Sequence, residues 1–336
     1  MSINLGSAPR EAVIVAPRRG GRGPLGLARR IAAPIGQARG MPKALFWTGV
    51  TIVAVFIVMA VFAPLVSRYG FNQYKSGSTA FPKLAHPSGA HWFGTNVTEN
   101  DLFSRVVYGA RTELEVVVLS LALSVVVGVL LGLVSGWLGG IADRVLVLIM
   151  DTLFAFPYLL LAIVIAFLLQ SSPLGGGIVT AAVAITVIYI PQYFRVVRNS
   201  VLAVKQETYV DAARAIGAGP VTIVMRYIFS NVIQTVPVIA TLNAADAILT
   251  LAGLGFLGFG VQPTVAAEWG YEVSRAVNEV GNGVWWTAVF PGGAIVLLVI
   301  GLTLVGEGLN DVVNPVLRRR PTAPVTLPEP GPQAGS

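Results

Sequence analysis

Six uninterrupted apolar stretches, near residues 45–66, 113–137, 145–169, 177–199, 231–257 and 286–309, alternate with polar and charged segments. Each is long enough to carry a helix through a hydrocarbon core, which takes about 17–25 residues. The runs are continuous rather than alternating in polarity, so they predict helices, which satisfy their backbone groups internally, and exclude a membrane barrel. The expected fold is all-α and polytopic, with six transmembrane helices. The pattern divides the chain into a basic tail (1–44), a first transmembrane helix (45–66) and an external loop (67–112). A core (113–310) follows with five helices and an internal loop at 200–230, and then a tail (311–336). The first run is too long, and its leader too extended, for a cleaved signal peptide.

Composition agrees with that reading. Of 336 residues, 54% are hydrophobic and only 12% charged, with a mean hydropathy of +0.74. Soluble domains carry about a quarter charged residues, so this surface needs a solvent other than water. The net charge of +7 sits in blocks between apolar runs and does not form a nucleic-acid footprint. With an inner N-terminus, 17 Lys and Arg fall on the inner side of the six spans and 6 on the outer. This asymmetry predicts that both termini are cytoplasmic. The Arg- and Gly-rich tail reads either as a disordered leader or as a polybasic segment held on lipid headgroups. The Pro-rich end is likewise low in complexity.

Enzymatic chemistry finds little support. Cysteine is absent, and none of the lysines Lys43, Lys75, Lys83 and Lys205 follows glycine, so there is no nucleotide phosphate loop. The two histidines, His86 and His91, share one external loop, which leaves the membrane path without imidazole and provides no Ser/His/Asp set. No cofactor and no metal site are expected in this chain.

Four groups of residues carry information. The loop from Glu207 through Tyr209, Asp211, Ala212, Ala213 and Arg214 to Gly217 reads as a short helix over 211–216 that Gly217 ends. Such a helix, projecting between two spans, is either a docking element for a partner or a connector lying on the membrane surface. In the second span, Ser120, Ser124, Gly128, Gly132 and Gly136 recur every four residues and form a small-residue face. That face favours close helix packing within the chain over a sliding contact with a partner. In the fifth span, Asn243, Asp246 and Thr250 form a polar stripe at a depth where an ionisable group costs about 2.5–3.5 kcal/mol. The stripe either lines a translocation path, with Asp246 attracting a peptide's ammonium, or is a hydrogen-bonded packing contact. Asp143 and Arg144 read as a cytoplasmic turn pair, Pro157 and Pro191 as kinks, and Trp285 with Trp286 as an outer interfacial anchor.

The segment Asp211-Ala-Ala-Arg-Ala-Ile-Gly217 resembles the E-A-A-x-x-x-G signature of the membrane subunits of bacterial ABC importers, with Asp in place of Glu. His91-Trp-Phe-Gly94-Thr-Asn followed by Asp101-Leu-Phe-Ser-Arg105 and Tyr108-Gly-Ala-Arg111 is similar to further motifs of one group in that family. So are Asp151-Thr-Leu-Phe-Ala-Phe-Pro157, Leu254-Gly-Phe-Leu-Gly-Phe-Gly260, Glu268-Trp-Gly270 and Gly306-Glu-Gly-Leu-Asn-Asp311. Together they resemble the second permease subunit of the dipeptide/oligopeptide/nickel group over about residues 85–317. The resemblance implies import of dipeptides or short oligopeptides across the bacterial inner membrane, with loop 205–220 as a coupling helix. It implies a homologous permease, one or two ABC ATPase subunits that use ATP and magnesium, and an external substrate-binding protein, all within membrane lipid. Nickel or another small solute stays open as cargo, as does proton-coupled transport through Asp246. A non-transporting scaffold is a third alternative.

Overall fold

The computed structural model describes residues 41–170, 177–233 and 235–313. The residues 1–40 and 314–336 of the two tails, and most of the short loop at Gln170–Gly176, lie outside the described residues. In chain order the helices are α1 (Met41–Val61), α2 (Ala63–Val66), α3 (Leu102–Leu138), α4 (Gly140–Ala155), α5 (Tyr158–Gln170) and α6 (Ile178–Val204). They continue with α7 (Thr208–Ala215), α8 (Pro220–Thr222), α9 (Phe229–Val232), α10 (Val236–Phe256), α11 (Trp269–Val280) and α12 (Trp286–Val313). A π-helical turn, Ile223–Ile228, joins α8 to α9. Among the described residues, five helices are long and apolar enough to cross a membrane, and the pair α4–α5 makes a sixth crossing if its two halves are one span. The protein is all-α and polytopic.

Two expectations about the spans change. The external loop does not run to residue 112, because α3 starts at Leu102, where Asp101 caps it by accepting from the Ser104 amide at 2.8 Å. At 37 residues α3 is about 55 Å long, well beyond a hydrocarbon core of about 30 Å, so its first turns stand outside. There Leu102, Val106, Val107 and Ala110 bury themselves in protein rather than lipid. The predicted straight span 145–169 is instead broken by 98° between α4 and α5. The break falls at Pro157, which has no N–H to give the helix and holds Phe156 extended at φ −78°, ψ 141°. Pro191, by contrast, sits inside α6 without ending it.

The centre of the fold is the seam between α3 and α6, and it is built on the small-residue face. A Cβ on Gly128 would come within 2.6 Å of the Tyr193 Cβ, and one on Gly136 within 2.7 Å of the Val201 Cβ. On Gly132 it would meet the Phe194 carbonyl oxygen at 2.8 Å. Higher up, the Ser124 hydroxyl donates to the Thr186 carbonyl (3.1 Å) and the Thr186 hydroxyl to that of Ser120 (3.3 Å). At the opposite end Gly139 and Gly140, both at φ above +60°, turn the chain sharply into α4. Arg198 of α6 then grips Asp143 with two bonds of 2.6 and 2.7 Å, while Ser135 donates to the same carboxylate. Asp143 therefore pairs across helices, and Asp143 and Arg144 lie at the start of α4, just past the turn in which they were expected.

Residues 67–101 fold into a small module of their own. A two-stranded ribbon, β1 (Lys75–Ser76) and β2 (Thr79–Ala80), lies at its edge. Inside it, His91 Nδ1 meets Asp101 Oδ1 at 2.8 Å between the rings of Tyr69 and Phe81. Arg105 ties the module to α11 by pairing with Glu272 and donating to the Phe71 carbonyl at 2.9 Å. Trp286, expected at the lipid interface, is instead 1% exposed, donating its indole N–H to Thr95 at 3.3 Å and lying against His86. Trp285, 49% exposed, alone keeps the outward position.

Candidate functional site

Two places on the molecule combine exposure with chemistry. The first is the polar group in the membrane-spanning part. Asp246 lies on α10, exposed on the surface of this chain, and its Oδ2 accepts a 2.7 Å bond from the Tyr189 hydroxyl of α6. Thr250, one turn on, lies 3.4 Å from the same hydroxyl and bonds back to the Asp246 carbonyl at 2.9 Å. The other carboxylate oxygen has no protein donor among the described residues. A carboxylate held by a phenol, with one oxygen left open, is arranged to receive a cationic group.

The predicted stripe is only partly assembled. Asn243 is buried and adjoins Tyr193 inside the helix packing, so it does not share the open face with Asp246. Tyr189 takes its place, contributed from a helix 57 positions away in sequence. Nothing in the local pattern of α6 distinguishes Tyr189 from a packing aromatic, so the hydroxyl's partner was not legible. Beside this group the broken span opens a cavity of about 370 Å³, walled by Phe154, Phe156, Pro157, Tyr158, Leu161 and Ile188 among others. Tyr158 is close enough to Tyr189 to act on it electrostatically. On the α4 side, the Arg195 guanidinium lies 4.0 Å from the Phe154 ring centre and bonds Asp151 at 2.8 Å.

The second place is the loop 205–220. Its helix α7 starts earlier than expected, at Thr208, with Glu207 in extended backbone before it. Val210 and Ala213 are buried and anchor it, whereas Glu207, Tyr209, Asp211, Ala212 and Arg214 face outward. Arg214 bonds Asp211 at 3.0 Å and lies over the Trp137 ring; Lys205 donates to the Trp137 carbonyl at 2.8 Å. The Tyr209 hydroxyl accepts from Asn231 at 3.1 Å. Gly217, at φ +84°, reverses the chain, and the Ala218 amide bonds back to Ala213 at 3.0 Å. An apolar edge results. Ile216 is 81% exposed and Val221 76%, with Met225 nearby. An exposed small-residue helix rimmed by such side chains is suited to seating in a cleft of another protein.

A third cluster supports rather than reacts. Glu268 caps α11 by accepting from the Gly270 and Tyr271 amides at 2.7 and 2.8 Å. It is fully buried beside Glu113 and presses on Gly255, whose hydrogen-only side chain makes the room. Burial pushes its carboxyl up to about 7, against the two amides, which favour the ionised form. Trp269, next in sequence, is wholly buried and donates its indole N–H to the Val106 carbonyl at 3.0 Å. The Glu-Trp-Gly motif thus clamps α11 onto α3.

Residues 128–319 match the family of binding-protein-dependent transport system inner membrane components. The chain is 35% identical over 270 residues to the dipeptide transport system permease protein DppC of Alkalihalophilus pseudofirmus, covering 80% of this chain and 85% of that one. It is 36% identical to the probable D,D-dipeptide transport system permease protein DdpC of Escherichia coli K12 (80% and 86% covered). It is 37% identical to the glutathione transport system permease protein GsiD of Pectobacterium atrosepticum (79% and 85% covered).

Proposed function

Because the chain belongs to the family of binding-protein-dependent transport system inner membrane components, we infer that it is a permease subunit importing dipeptides or short oligopeptides. The observation that carries this reading is the run of relatives at 35–37% identity, each named as a permease for a dipeptide or for glutathione, itself a small peptide. Loop 205–220 takes the role of coupling helix. An ATPase subunit closes on Asp211, Ala212 and Ile216, and the rigid join of α7 to the spans carries its motion into the membrane. ATP and magnesium belong to that subunit. The positive-inside asymmetry supports six spans with both termini in the cytoplasm. A homologous permease completes the pore, and an external binding protein delivers the substrate. Asp246, oriented by Tyr189, faces the path and receives the ammonium of the peptide.

The test is ATP-dependent uptake of a labelled dipeptide in cells with the native chain or Gly217→Pro at equal membrane levels. Loss in the variant supports coupling through the loop. Uptake that persists in the variant removes the loop from the mechanism. Uptake sensitive to uncouplers but not to ATP depletion replaces the reading with proton-coupled transport, and uptake of nickel but not of peptide changes the cargo.

A further inference from the structure

The half of the membrane-spanning part nearest the 67–101 module carries a groove that peptide import leaves without a role. It encloses about 410 Å³ between α1, α3 and α12, and its walls are almost wholly apolar, with Val55, Phe56, Met59, Phe103, Val289 and Phe290 prominent. Along α1 it extends from Thr51 to Met59, a rise of about 12 Å. Gly293 of α12 lines it, and a Cβ built there meets no atom within 4 Å. The glycines of the α3–α6 seam would all clash at under 3 Å, so Gly293 faces open space rather than a packed neighbour. Water gains no partners in such a space.

At one end the groove acquires a charge. Phe103 also walls a second, smaller pocket that includes Val66, Arg68 and Trp92, and the Trp92 and Phe103 rings touch at 4.9 Å between centres. Arg68 is exposed, lies 5.7 Å from the Tyr69 ring centre and, among the described residues, makes only a long 3.4 Å bond to the Gly89 carbonyl. Asp101 lines the same pocket, but its carboxylate is already taken by His91 and by the Ser104 amide and hydroxyl. Trp92, 62% exposed beside Arg68, marks the depth at which amphipathic rings and snorkelling arginines meet headgroups. An apolar trough running into a single unneutralised guanidinium at headgroup depth has the polarity of one molecule, a phospholipid with an anionic head.

We propose that this groove binds an anionic glycerophospholipid of the adjoining leaflet. One acyl chain lies along Phe56, Met59 and Phe290, and the phosphate lies on Arg68. The bound chain fills the seam beside the first span and ties α1 to α3 and α12.

The test uses membrane vesicles from cells producing the full chain, loaded with phosphatidylglycerol or phosphatidylcholine carrying a photoactivatable acyl chain. Cross-links are then mapped by peptide mass spectrometry. The expected result is labelling around Met59 and Phe290 that favours phosphatidylglycerol by about fivefold, the factor one basic residue gains at an anionic surface. Gly293→Leu, whose side chain enters the open space, abolishes that labelling while Leu148 of α4 and Leu168 of α5, 67% and 69% exposed, stay labelled. Arg68→Gln, a surface change that carries the test should Gly293→Leu fail to accumulate, makes the two lipids equal. Equal labelling by both lipids in the native chain overturns the proposal, since the groove then holds only bulk lipid. No labelling there, with Leu148 and Leu168 labelled, also overturns it, since protein then covers the groove.

Discussion

Replacing Tyr189 by Phe and Asp246 by Asn separates the charge of the proposed peptide site from the group that orients it. Tyr189 is 3% exposed, so Phe fills its place and what is lost is the 2.7 Å bond to Asp246, with the long 3.4 Å contact to Thr250. A hydrogen bond of this kind contributes about 0.5–1.5 kcal/mol net, which converts to roughly a two- to tenfold loss in rate. Asp246→Asn keeps the shape and a hydrogen-bond acceptor but removes the charge. Two unit charges 4 Å apart attract by about 4 kcal/mol at the effective dielectric of a protein surface. Desolvation takes back part of this, leaving a larger effect than the phenol's, roughly ten- to a hundredfold. The assay is the maximal rate of ATP-dependent dipeptide uptake in vesicles with the external binding protein saturated, so that its affinity does not enter. Asp246→Asn must cost more than Tyr189→Phe, and the double variant no more than Asp246→Asn alone, because the phenol acts through the carboxylate. Additive losses, a larger loss from Tyr189→Phe, or no loss from Asp246→Asn would each refute the reasoning.

Other consequences are as definite. Gly132→Val forces a branched side chain against the Phe194 carbonyl and Val197, so it lowers stability by about 1–3 kcal/mol, read as a fall in apparent melting temperature in detergent. Arg198→Ala leaves Asp143 with Ser135 alone and destabilises the α3–α4–α6 corner by about 1–3 kcal/mol, whereas Arg144→Ala is near neutral in the same assay. Glu268 holds its proton more tightly in the fold, with its carboxyl at about 7 rather than the usual 4.5. Its contribution to stability is therefore full below pH 4.5 and lost as the pH rises to about 7, a slope that Glu268→Gln flattens in denaturation series across that range. Ile216→Asp, at a side chain that touches little of its own chain, leaves melting unchanged but, on the proposed coupling role of α7, cuts dipeptide uptake at least about tenfold by putting an unpaired charge into the partner's cleft.

The elements themselves were largely legible, because a bilayer demands long apolar runs and those runs stand out in any reading of the chain. The interfacial role expected of Trp286 failed for a local reason. The 67–101 module folds over it, and its indole N–H donates to the Thr95 carbonyl within that module. The contacts that order the module were not legible, because they are single polar pairs, His91 with Asp101 and Arg105 with Glu272, that leave no periodicity. The polar stripe was half legible. Spacing puts Asn243, Asp246 and Thr250 on one face of one helix, but it cannot say which of them Tyr193 covers and which is left open.

What the sequence alone determined is what depends on neighbours three or four residues apart and on the solvent. That includes the all-α class, the number of apolar runs, the small-residue face of α3, the end of α7 at Gly217 and the family resemblance. The tertiary structure decided what depends on residues far apart. It bent the third run at Pro157, extended α3 beyond the bilayer, gave Asp143 to Arg198, and brought Tyr189 onto Asp246. The physical reason is that backbone hydrogen bonds and lipid burial are satisfied within one helix, whereas a polar side chain in a membrane must find its partner on another.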